Sequence, residues 1–445
     1  MEAQKLAAFG KQHVSPGISR LTDEILEYGA GSYVTTAGGR TFLDFTCGVG
    51  VTNLGHCHPK VTKAVQEQAG KISHAQISIG FHRPYLNLIE KLLSIMPHPS
   101  LDAFFFSNSG SEAIEAAIKV ARRATKKPNI IVMQGGFHGR TYACASLTTS
   151  KTIFREGPGM TMSGVFVAPF PYCAHSPEAK CTGGKHDPET CWQSPLRQLE
   201  LLLKQQSAPR DTAALLIEPV QGEGGYVPAP PEYLVKVREL CEKHEILMIV
   251  DEVQCGFGRT GKMFAVEHSG VRPDIMVMAK GLANGYPLSA IVTSKKVMDS
   301  MVSGTMGGTY GGNAIACAAA VAAVEVFREE KILENVEVRG RELRAMLDEC
   351  ATAPDTKDIV LDVRGLGLML GMEFQPGHNY AVRIQDKCLE KGMIVLTTSI
   401  YDTLRFIPPL NITEDDMKKG ITIIRTAIQE VAAEDRNGAY QNGTK

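Results

Sequence analysis

The chain has 445 residues, of which 44% are apolar and 21% are charged, a composition typical of a globular protein with a large core. Lysine and arginine total 47 and aspartate and glutamate total 48, so the formal net charge is −1. This balance gives no electrostatic reason to expect nucleic acid or an anionic membrane as a partner. The length predicts two domains.

The apolar stretches of the sequence are too short to form a membrane-spanning helix, since the longest alanine-rich run ends at Glu325. The first residues lack the continuous apolar core and the cleavage pattern of a secretory signal. Eleven cysteines in such a chain predict reduced thiols rather than a disulfide framework. We therefore expect a soluble, cytoplasmic protein.

Short apolar segments alternate with amphipathic ones through the middle of the chain, which favours a mostly parallel α/β sheet. The predicted strands are residues 103–106, 130–133, 165–168, 213–217, 246–250 and 275–278. The predicted helices between them are residues 112–124, 195–206 and 231–243. From residue 314 the pattern changes to helices at 314–327 and 336–350 and strands at 368–374 and 404–407. This change predicts a second, smaller α+β domain.

Ligands of open parallel sheets bind beyond the carboxyl ends of the strands, so the residues at those ends are candidates for function. Ser109, Gly110 and Ser111 follow the strand at 103–106 and run directly into a helix. Small residues at a helix N-terminus suit a phosphate, but a serine there is also an ordinary N-cap. The residues alone leave both interpretations open.

The next two strand ends carry an aromatic ring, an arginine and two glutamates. Phe137 and Arg140 follow the strand at 130–133, and Glu218 and Glu223 follow the strand at 213–217. A ring can stack on a planar cofactor, and an arginine suits a carboxylate. Taken alone, a core phenylalanine beside a surface arginine is the simpler interpretation.

Two further strands end in opposite charges, Asp251 and Lys280. A lysine after a buried strand costs several kcal/mol unless it is paired, exposed or chemically used. The pair forms a salt bridge, or it serves one heterocycle: the lysine joins an aldehyde and the carboxylate keeps a ring nitrogen protonated. Together with a phosphate site and a stacking ring, these residues fit pyridoxal phosphate.

A loop rich in cysteine and histidine is the one candidate metal site in the sequence. It contains Cys173, His175, Cys181, His186 and Cys191, residue types that bind zinc. The paired spacing of common zinc sites is absent. We therefore predict no metal.

Several long motifs together resemble the class III (ω-amino acid) pyridoxal-phosphate-dependent aminotransferases, closest to the 4-aminobutyrate aminotransferase branch. These motifs are NSGSEA at 108–113, FHGRT at 137–141, EPVQGEGG at 218–225, DEVQCGFGRTG at 251–261, AKGLANGYPLSA at 279–290, GTYGGN at 308–313 and LRFIPPLNI at 404–412. The resemblance implies a fold-type-I PLP transferase with a large, doubly wound, mostly parallel sheet domain and a smaller α+β domain. It divides the chain into an N-terminal segment (1–55) contributing to the small domain and the active-site entrance, a large PLP-binding domain (56–313) and a small C-terminal domain (314–445).

The resemblance also implies a role for each cofactor-binding residue. Lys280 carries pyridoxal 5'-phosphate as a Schiff base, and Asp251 pairs with the pyridine nitrogen. Phe137 and Val253 cover the two ring faces, Gln254 reaches the phenolic oxygen, Gly110 and Ser111 bind the phosphate, and Thr309 of the partner subunit in a homodimer assists them. Ser109, His138 and Glu218 complete the predicted cofactor-binding set.

Four residues are predicted to bind substrate on the same basis. Arg140 takes the distal carboxylate of an ω-amino acid or of 2-oxoglutarate, and Arg405 takes the α-carboxylate of glutamate. Glu223 neutralises Arg405 when the other substrate binds, because a bare buried arginine would reject a donor without an α-carboxylate. Val49 lines the same pocket.

The implied reaction is ping-pong transfer of the amino group of a 4-aminobutyrate-like ω-amino acid to 2-oxoglutarate or pyruvate. The alternatives are an aminotransferase for ornithine, acetylornithine, diamines or simple amines, and a phospho-lyase on the same scaffold. A binding protein that has lost its activity is disfavoured, because Lys280 and Asp251 are both present.

Overall fold

The computed structural model describes residues 2–157, 161–176 and 190–437. Its strands, numbered in chain order, are β1 (Leu26–Ala30), β2 (Tyr33–Thr36), β3 (Thr41–Asp44), β4 (Ala103–Ser107), β5 (Asn129–Met133), β6 (Val165–Ala168), β7 (Thr212–Ile217), β8 (Val220–Gln221), β9 (Val227–Pro228), β10 (Leu247–Asp251), β11 (Ile275–Met278), β12 (Ser289–Thr293), β13 (Val360–Leu366), β14 (Met369–Phe374), β15 (Met393–Ile394), β16 (Leu396–Thr398) and β17 (Thr403–Phe406).

The right-handed α-helices are numbered in the same way. They are α1 (Glu2–His13), α2 (Pro59–Ala69), α3 (Arg83–Leu93), α4 (Gly110–Thr125), α5 (Tyr142–Leu147), α6 (Gln193–Gln205), α7 (Pro231–Lys243), α8 (Lys295–Met298), α9 (Ala314–Glu329), α10 (Ile332–Thr352), α11 (Tyr380–Glu390) and α12 (Glu414–Arg436).

A seven-stranded sheet in the order β4-β12-β11-β10-β7-β5-β6 forms the centre of the molecule. Strands β11, β10, β7, β5 and β6 pair in parallel, and β12 pairs antiparallel with both β11 and β4. The predicted α/β class with a mostly parallel sheet is therefore confirmed. The prediction from sequence omitted β12 because this strand follows the glycine-containing turn after Lys280 and does not continue the strand–helix alternation.

The central strands are buried on both faces, which explains their unbroken apolar sequences. Every residue of β7, β11 and β12 is buried, and two apolar clusters cover the two sides of the sheet. Helix α4 packs with its alanine-rich face on one side. The buried face also carries Ile114, Ile118 and Val120, so alanines and β-branched side chains together fix α4 against the sheet.

Three smaller sheets accompany the large one, and one of them is the two-stranded pair β8–β9. Strands β1, β2 and β3 pair with β15, so the N-terminal segment and the C-terminal part of the chain share one sheet, and β13, β14, β17 and β16 form another. Helix α9 packs against α2 and α3. The domain boundaries given above remain a prediction.

One fully buried arginine joins these parts. Arg259, with no exposed surface, donates from its guanidinium to Leu368 O at 3.1 Å, Pro408 O at 2.6 Å and Asn53 Oδ1 at 2.9 Å. A buried cation is tolerable when several oxygens accept from it. These bonds fix the segment after β17 against the N-terminal segment and the loop after β10.

Cysteine pairing differs in part from expectation. Cys173 and Cys191 form a disulfide with a Cα–Cα distance of 5.3 Å, so the prediction of reduced thiols is wrong for this pair, whereas eight further described cysteines are free.

Within residues 2–157, 161–176 and 190–437 no His/Cys/Asp/Glu cluster suits a metal ion. Cys181 and His186 lie outside these residues, so the zinc hypothesis is untested. In the same residues, no helix has the length and apolarity needed to cross a membrane.

Candidate active site

A cavity of ≈ 290 Å³ lies at the carboxyl ends of β4, β7, β10 and β11. It brings together most of the residues predicted from the sequence: Ser109, Gly110, Ser111, Phe137, His138, Glu218, Glu223, Asp251, Val253, Gln254 and Lys280. These residues come from separate segments of the chain, so only the fold places them around one space.

Lys280 borders this cavity directly after β11. Its φ of 44° lies in the left-handed region, which a residue other than glycine adopts only at an energetic cost and which is common at functional sites. Next to it, any side chain at Gly281 would lie within 2.4 Å of Asn53. Burial lowers the pKa of the Lys280 amine to about 8, with Glu223 opposing this shift and Arg405 adding to it. The amine therefore loses its proton far more readily than an ordinary lysine.

Asp251 is held in one orientation by two contacts. His138 Nδ1 lies 2.8 Å from Asp251 Oδ2, and the backbone N–H of Val253 donates to Oδ1 at 3.0 Å. A proton on Nδ1 of His138 donates to the carboxylate and keeps it an acceptor. His138, which is almost fully buried, therefore acts on the cavity through Asp251.

The start of α4 confirms the capping interpretation for one of its serines. Ser109 is the N-cap: its Oγ accepts from Glu112 N at 3.3 Å, and Glu112 Oε2 accepts from Ser109 N at 2.8 Å. Ser109, Gly110 and Ser111 all border the cavity. At Gly139 an added Cβ would lie 2.0 Å from Ser111 Oγ, so a glycine there leaves room for this hydroxyl.

Glu218 ties two loops at the rim of the cavity. Its carboxylate accepts from the backbone N–H groups of Phe137 at 2.8 Å and Gly222 at 2.9 Å. Burial raises the pKa of Glu218, with His138 opposing the shift and Asp251 adding to it. Glu218 therefore fixes the backbone that carries Phe137.

Glu223 is paired with two cations. Its Oε1 accepts from Arg405 Nη1 at 2.6 Å, and its Oε2 lies 3.9 Å from Lys151 Nζ. Burial would raise the pKa of Glu223, but Arg405, helped by Lys151, more than offsets this and holds the pKa below its ordinary value. The carboxylate stays ionised at neutral pH, so Arg405 is neutralised.

Arg140 is an exposed cation above two aromatic rings. Its guanidinium carbon lies 5.7 Å from the centre of the Phe137 ring and 4.9 Å from that of Phe154. The same side of the site therefore holds two positive side chains, Arg140 and Lys151.

Gln254 lies where it was predicted, whereas Val49 and Thr309 lie outside the described cavity lining. Buried Gln254 lines the cavity, and its Oε1 has no hydrogen-bond partner among the described residues. Val49 sits half-buried in a left-handed turn, with φ 69°, and the neighbouring Val51 lines the cavity instead. Thr309 is exposed and lies outside the described lining of its own chain's cavity.

Sequence reasoning missed several residues of this site. Lys151 and Phe154 lie in a short turn after α5, where no motif marked them, and only the fold brings them to Glu223 and Arg140. Tyr286 also lines the cavity. It lies inside the AKGLANGYPLSA motif, which gave the only available signal.

The cavity has the donors and acceptors that pyridoxal phosphate requires. An amine of lowered pKa suits the aldehyde, an oriented carboxylate suits the pyridine nitrogen, and a capped helix N-terminus suits the phosphate. Gln254 Oε1 and His138 Nε2 are buried polar atoms without partners among the described residues, and both side chains belong to the cavity lining. Fold and site thus define a lysine-dependent pyridoxal-phosphate enzyme.

Comparison with known proteins identifies the family. The family model of the class-III aminotransferases matches residues 19–428. The chain belongs to this family of pyridoxal-phosphate-dependent enzymes and is an aminotransferase. This confirms the resemblance that the motifs indicated, together with the cofactor.

Individual relatives cover almost the whole chain. It is 38% identical to 5-aminovalerate aminotransferase DavT of Pseudomonas putida, over 94% of this chain and 96% of the relative. It is 37% identical to 4-aminobutyrate aminotransferase GabT of Escherichia coli (88% and 90%) and 38% identical to acetylornithine aminotransferase of Methanocaldococcus jannaschii (92% and 94%). The omega transaminase of Pseudomonas jessenii in complex with PMP superposes with a TM-score of 0.89 at 27% identity, covering 98% of this chain and 100% of that one.

Proposed function

We propose that the protein transfers the amino group of an ω-amino acid such as 4-aminobutyrate or 5-aminovalerate to 2-oxoglutarate or pyruvate in two half-reactions. The observation that carries this proposal is the Glu223–Arg405 pair at 2.6 Å. An arginine already neutralised by a carboxylate accepts a donor whose amine-bearing carbon has no carboxylate. The relatives that act on such donors support the same choice.

The residues of the cavity have separate roles in the proposed transfer. Pyridoxal phosphate supplies the electron sink that makes the proton next to the transferred nitrogen acidic. Lys280 would hold the cofactor, and its amine, with a pKa of about 8, would be well suited to move that proton near neutral pH. Asp251, oriented by His138, would hold the pyridine nitrogen, and Phe137 and Val253 would enclose the ring.

The two arginines hold the substrate carboxylates. Arg140, with Lys151 nearby, binds the distal carboxylate of the donor. When 2-oxoglutarate or glutamate binds, its α-carboxylate pairs with Arg405 in place of Glu223. The Glu223 carboxylate then remains close to Lys151. One pocket thereby accepts both substrates without leaving a buried charge unpaired.

The active unit is proposed to be a cytoplasmic homodimer in which Thr309 of each chain completes the phosphate site of the other. The exposure of Thr309 and its position outside its own chain's cavity support the shared phosphate site.

A donor panel tests the proposal. Purified protein carrying pyridoxal phosphate is mixed with 4-aminobutyrate, 5-aminovalerate, N-acetylornithine, ornithine, putrescine or n-butylamine, and the loss of pyridoxal absorbance is followed. The ω-amino acids are expected to convert the cofactor fastest, and the product form is then tested against 2-oxoglutarate and pyruvate. Faster conversion by amines lacking a carboxylate would contradict the assignment of Arg140.

Acetylornithine is the second candidate donor, because a relative named for it is as similar as the aminovalerate enzyme. The same panel decides between them by comparing the kcat/KM of N-acetylornithine with that of 5-aminovalerate.

A further inference from the structure

Phe154 lies directly beneath the guanidinium of Arg140. The 3₁₀ turn Thr152–Phe154 places its ring 4.9 Å from the guanidinium carbon. The same ring meets Phe137 edge to face, with centroids 5.2 Å apart and planes at 75°. Phe154 thus connects the ring expected to cover the cofactor with the cation expected to bind the substrate.

Arg140 lacks the contacts that usually fix an arginine. The described residues offer it no hydrogen bond or ion pair, and the side chain is exposed. Holding such a side chain in one rotamer costs conformational entropy. A carboxylate partner would fix it but would occupy the N–H groups that a substrate needs. An aromatic face attracts the cation from below and leaves its N–H groups free.

Lys151, at the N-cap position of the same turn, is the second cation on this side. Its Nζ lies 6.0 Å from the centre of the Phe154 ring and 3.9 Å from Glu223 Oε2. Burial lowers the pKa of Lys151, Glu223 opposes the shift, and Arg405 and Arg140 add to it. The segment 151–154 therefore supplies the Phe154 ring, which lies below Arg140, and a second cation, Lys151.

We propose that Phe154 is a positioning residue of the carboxylate subsite, which holds the Arg140 guanidinium over its ring so that the distal carboxylate of the substrate meets a preoriented fork. This inference rests on the proposed function, because it assigns the distal carboxylate to Arg140. The competing explanation is that Phe154 merely covers Phe137, in which case it supports the cofactor and not the carboxylate.

Two substitutions at Phe154 and one at Arg140 separate these explanations. Phe154→Leu keeps an apolar side chain and removes the aromatic face, and Phe154→Tyr keeps that face as the conservative control. Both are made in the wild-type and in the Arg140→Gln background, on protein loaded with cofactor. Steady-state kinetics with 4-aminobutyrate as donor separates binding from turnover, and saturation-transfer difference NMR measures the affinity for butyrate, a carboxylate that cannot react.

We expect Phe154→Leu to weaken binding about five- to tenfold, seen both in the Michaelis constant for the donor and in the dissociation constant for butyrate. The turnover number and the cofactor absorbance stay unchanged. Phe154→Tyr restores both constants. In the Arg140→Gln background Phe154→Leu has no further effect, because a residue that acts through another is silent once that residue is removed.

Equal losses in the two backgrounds would overturn the proposal, as would a fall in turnover together with weaker cofactor binding. So would a butyrate affinity that is the same in wild type and Phe154→Leu, or a wild-type protein that binds no butyrate. The butyrate measurement needs no turnover. A wild-type protein that binds butyrate through Arg140 and Phe154 but converts no ω-amino acid therefore contradicts the proposed function and leaves this inference standing.

Discussion

At the scale of single residues, the main feature of the site is the lowered pKa of the Lys280 amine, which lies near Glu223 and Arg405. Sequence reasoning singled out Lys280 from its position after a buried strand, and in the structure the pKa of its amine is lowered. Desolvation is the largest cause of its lowered pKa, and the Glu223 and Arg405 charges act in opposite directions. Asp251 and Glu218 act in the same direction as Glu223, so burial, aided by Arg405, outweighs three carboxylates.

The pH dependence of cofactor uptake follows from this pKa. A lysine in the unfolded chain keeps its proton up to its ordinary pKa of 10.5, whereas the folded amine loses it near 8. Folding with a neutral amine therefore becomes less costly as pH rises through this interval, because the unfolded state binds the additional proton. We expect pyridoxal phosphate uptake by cofactor-free protein, followed by absorbance, to rise with pH with a midpoint near the pKa of about 8. A midpoint close to the ordinary lysine value would contradict this.

Removal of the amine gives a second expectation. Lys280→Ala should slow the conversion of the cofactor by 4-aminobutyrate by about a thousandfold or more, because no other group replaces the acid–base catalyst. Single-turnover absorbance measurements on protein loaded with the cofactor test this. Turnover near the wild-type rate would refute the role of Lys280.

Glu223→Gln should separate the two half-reactions. It leaves the Arg405 cation without its counter-charge when 4-aminobutyrate is bound, and loss of one partner of a buried pair costs several kcal/mol. We expect the specificity constant for 4-aminobutyrate to fall about tenfold to a hundredfold, while that for glutamate is retained, because its α-carboxylate supplies the missing charge. A proportional loss with both substrates would indicate a structural role only.

At the scale of elements, loops after the strands carry the site, and their close packing depends on specific glycines. Gly258, with φ +80°, would place a Cβ 2.6 Å from the Phe327 ring, whereas Gly261, with φ +91°, faces open space. Both residues belong to the loop between β10 and β11. This loop carries Gln254 at its start and Arg259 within it, so its packing affects the site.

These two glycines form a matched pair for a stability test. Gly261→Ala carries only the backbone penalty of a left-handed residue, about 1 kcal/mol. Gly258→Ala adds a steric clash and should lower the free energy of unfolding by about 1–3 kcal/mol more. Denaturant unfolding of the two variants measures the difference. Equal destabilisation by the two substitutions would show that the Phe327 ring of α9 moves aside without lowering the free energy of unfolding.

At the scale of the whole molecule, the active site is predicted to be shared between two chains. In a mixed dimer of Lys280→Ala and Thr309→Asp chains, one site combines an intact lysine with an intact partner threonine, and the other site carries both defects. If Thr309 acts across the interface, co-expression of the two inactive variants in equal amounts should restore about a quarter of the wild-type activity. No recovery would mean that Thr309 acts within its own chain. Light scattering checks that the mixed species is dimeric.

Much of the fold was predictable because its strands and helices have clear local signals. The apolar segments of β6 and β11 and helix α7 were predicted with the observed bounds. Strand β12 was not, because the direction in which a chain returns to a sheet depends on tertiary pairing with β4 and β11. The joining of β3 to β15 likewise connects residues about 350 positions apart, which no local pattern reports.

The sequence by itself determined the family, the cofactor and the residues at the strand ends, because long motifs and buried strands are local properties of the chain. The tertiary structure decided which side chains act together. It made Ser109 a cap, gave Asp251 its His138 partner, set Lys151 beside Glu223 and put Phe154 under Arg140. These relations depend on distances between residues remote in sequence, and only close packing fixes such distances.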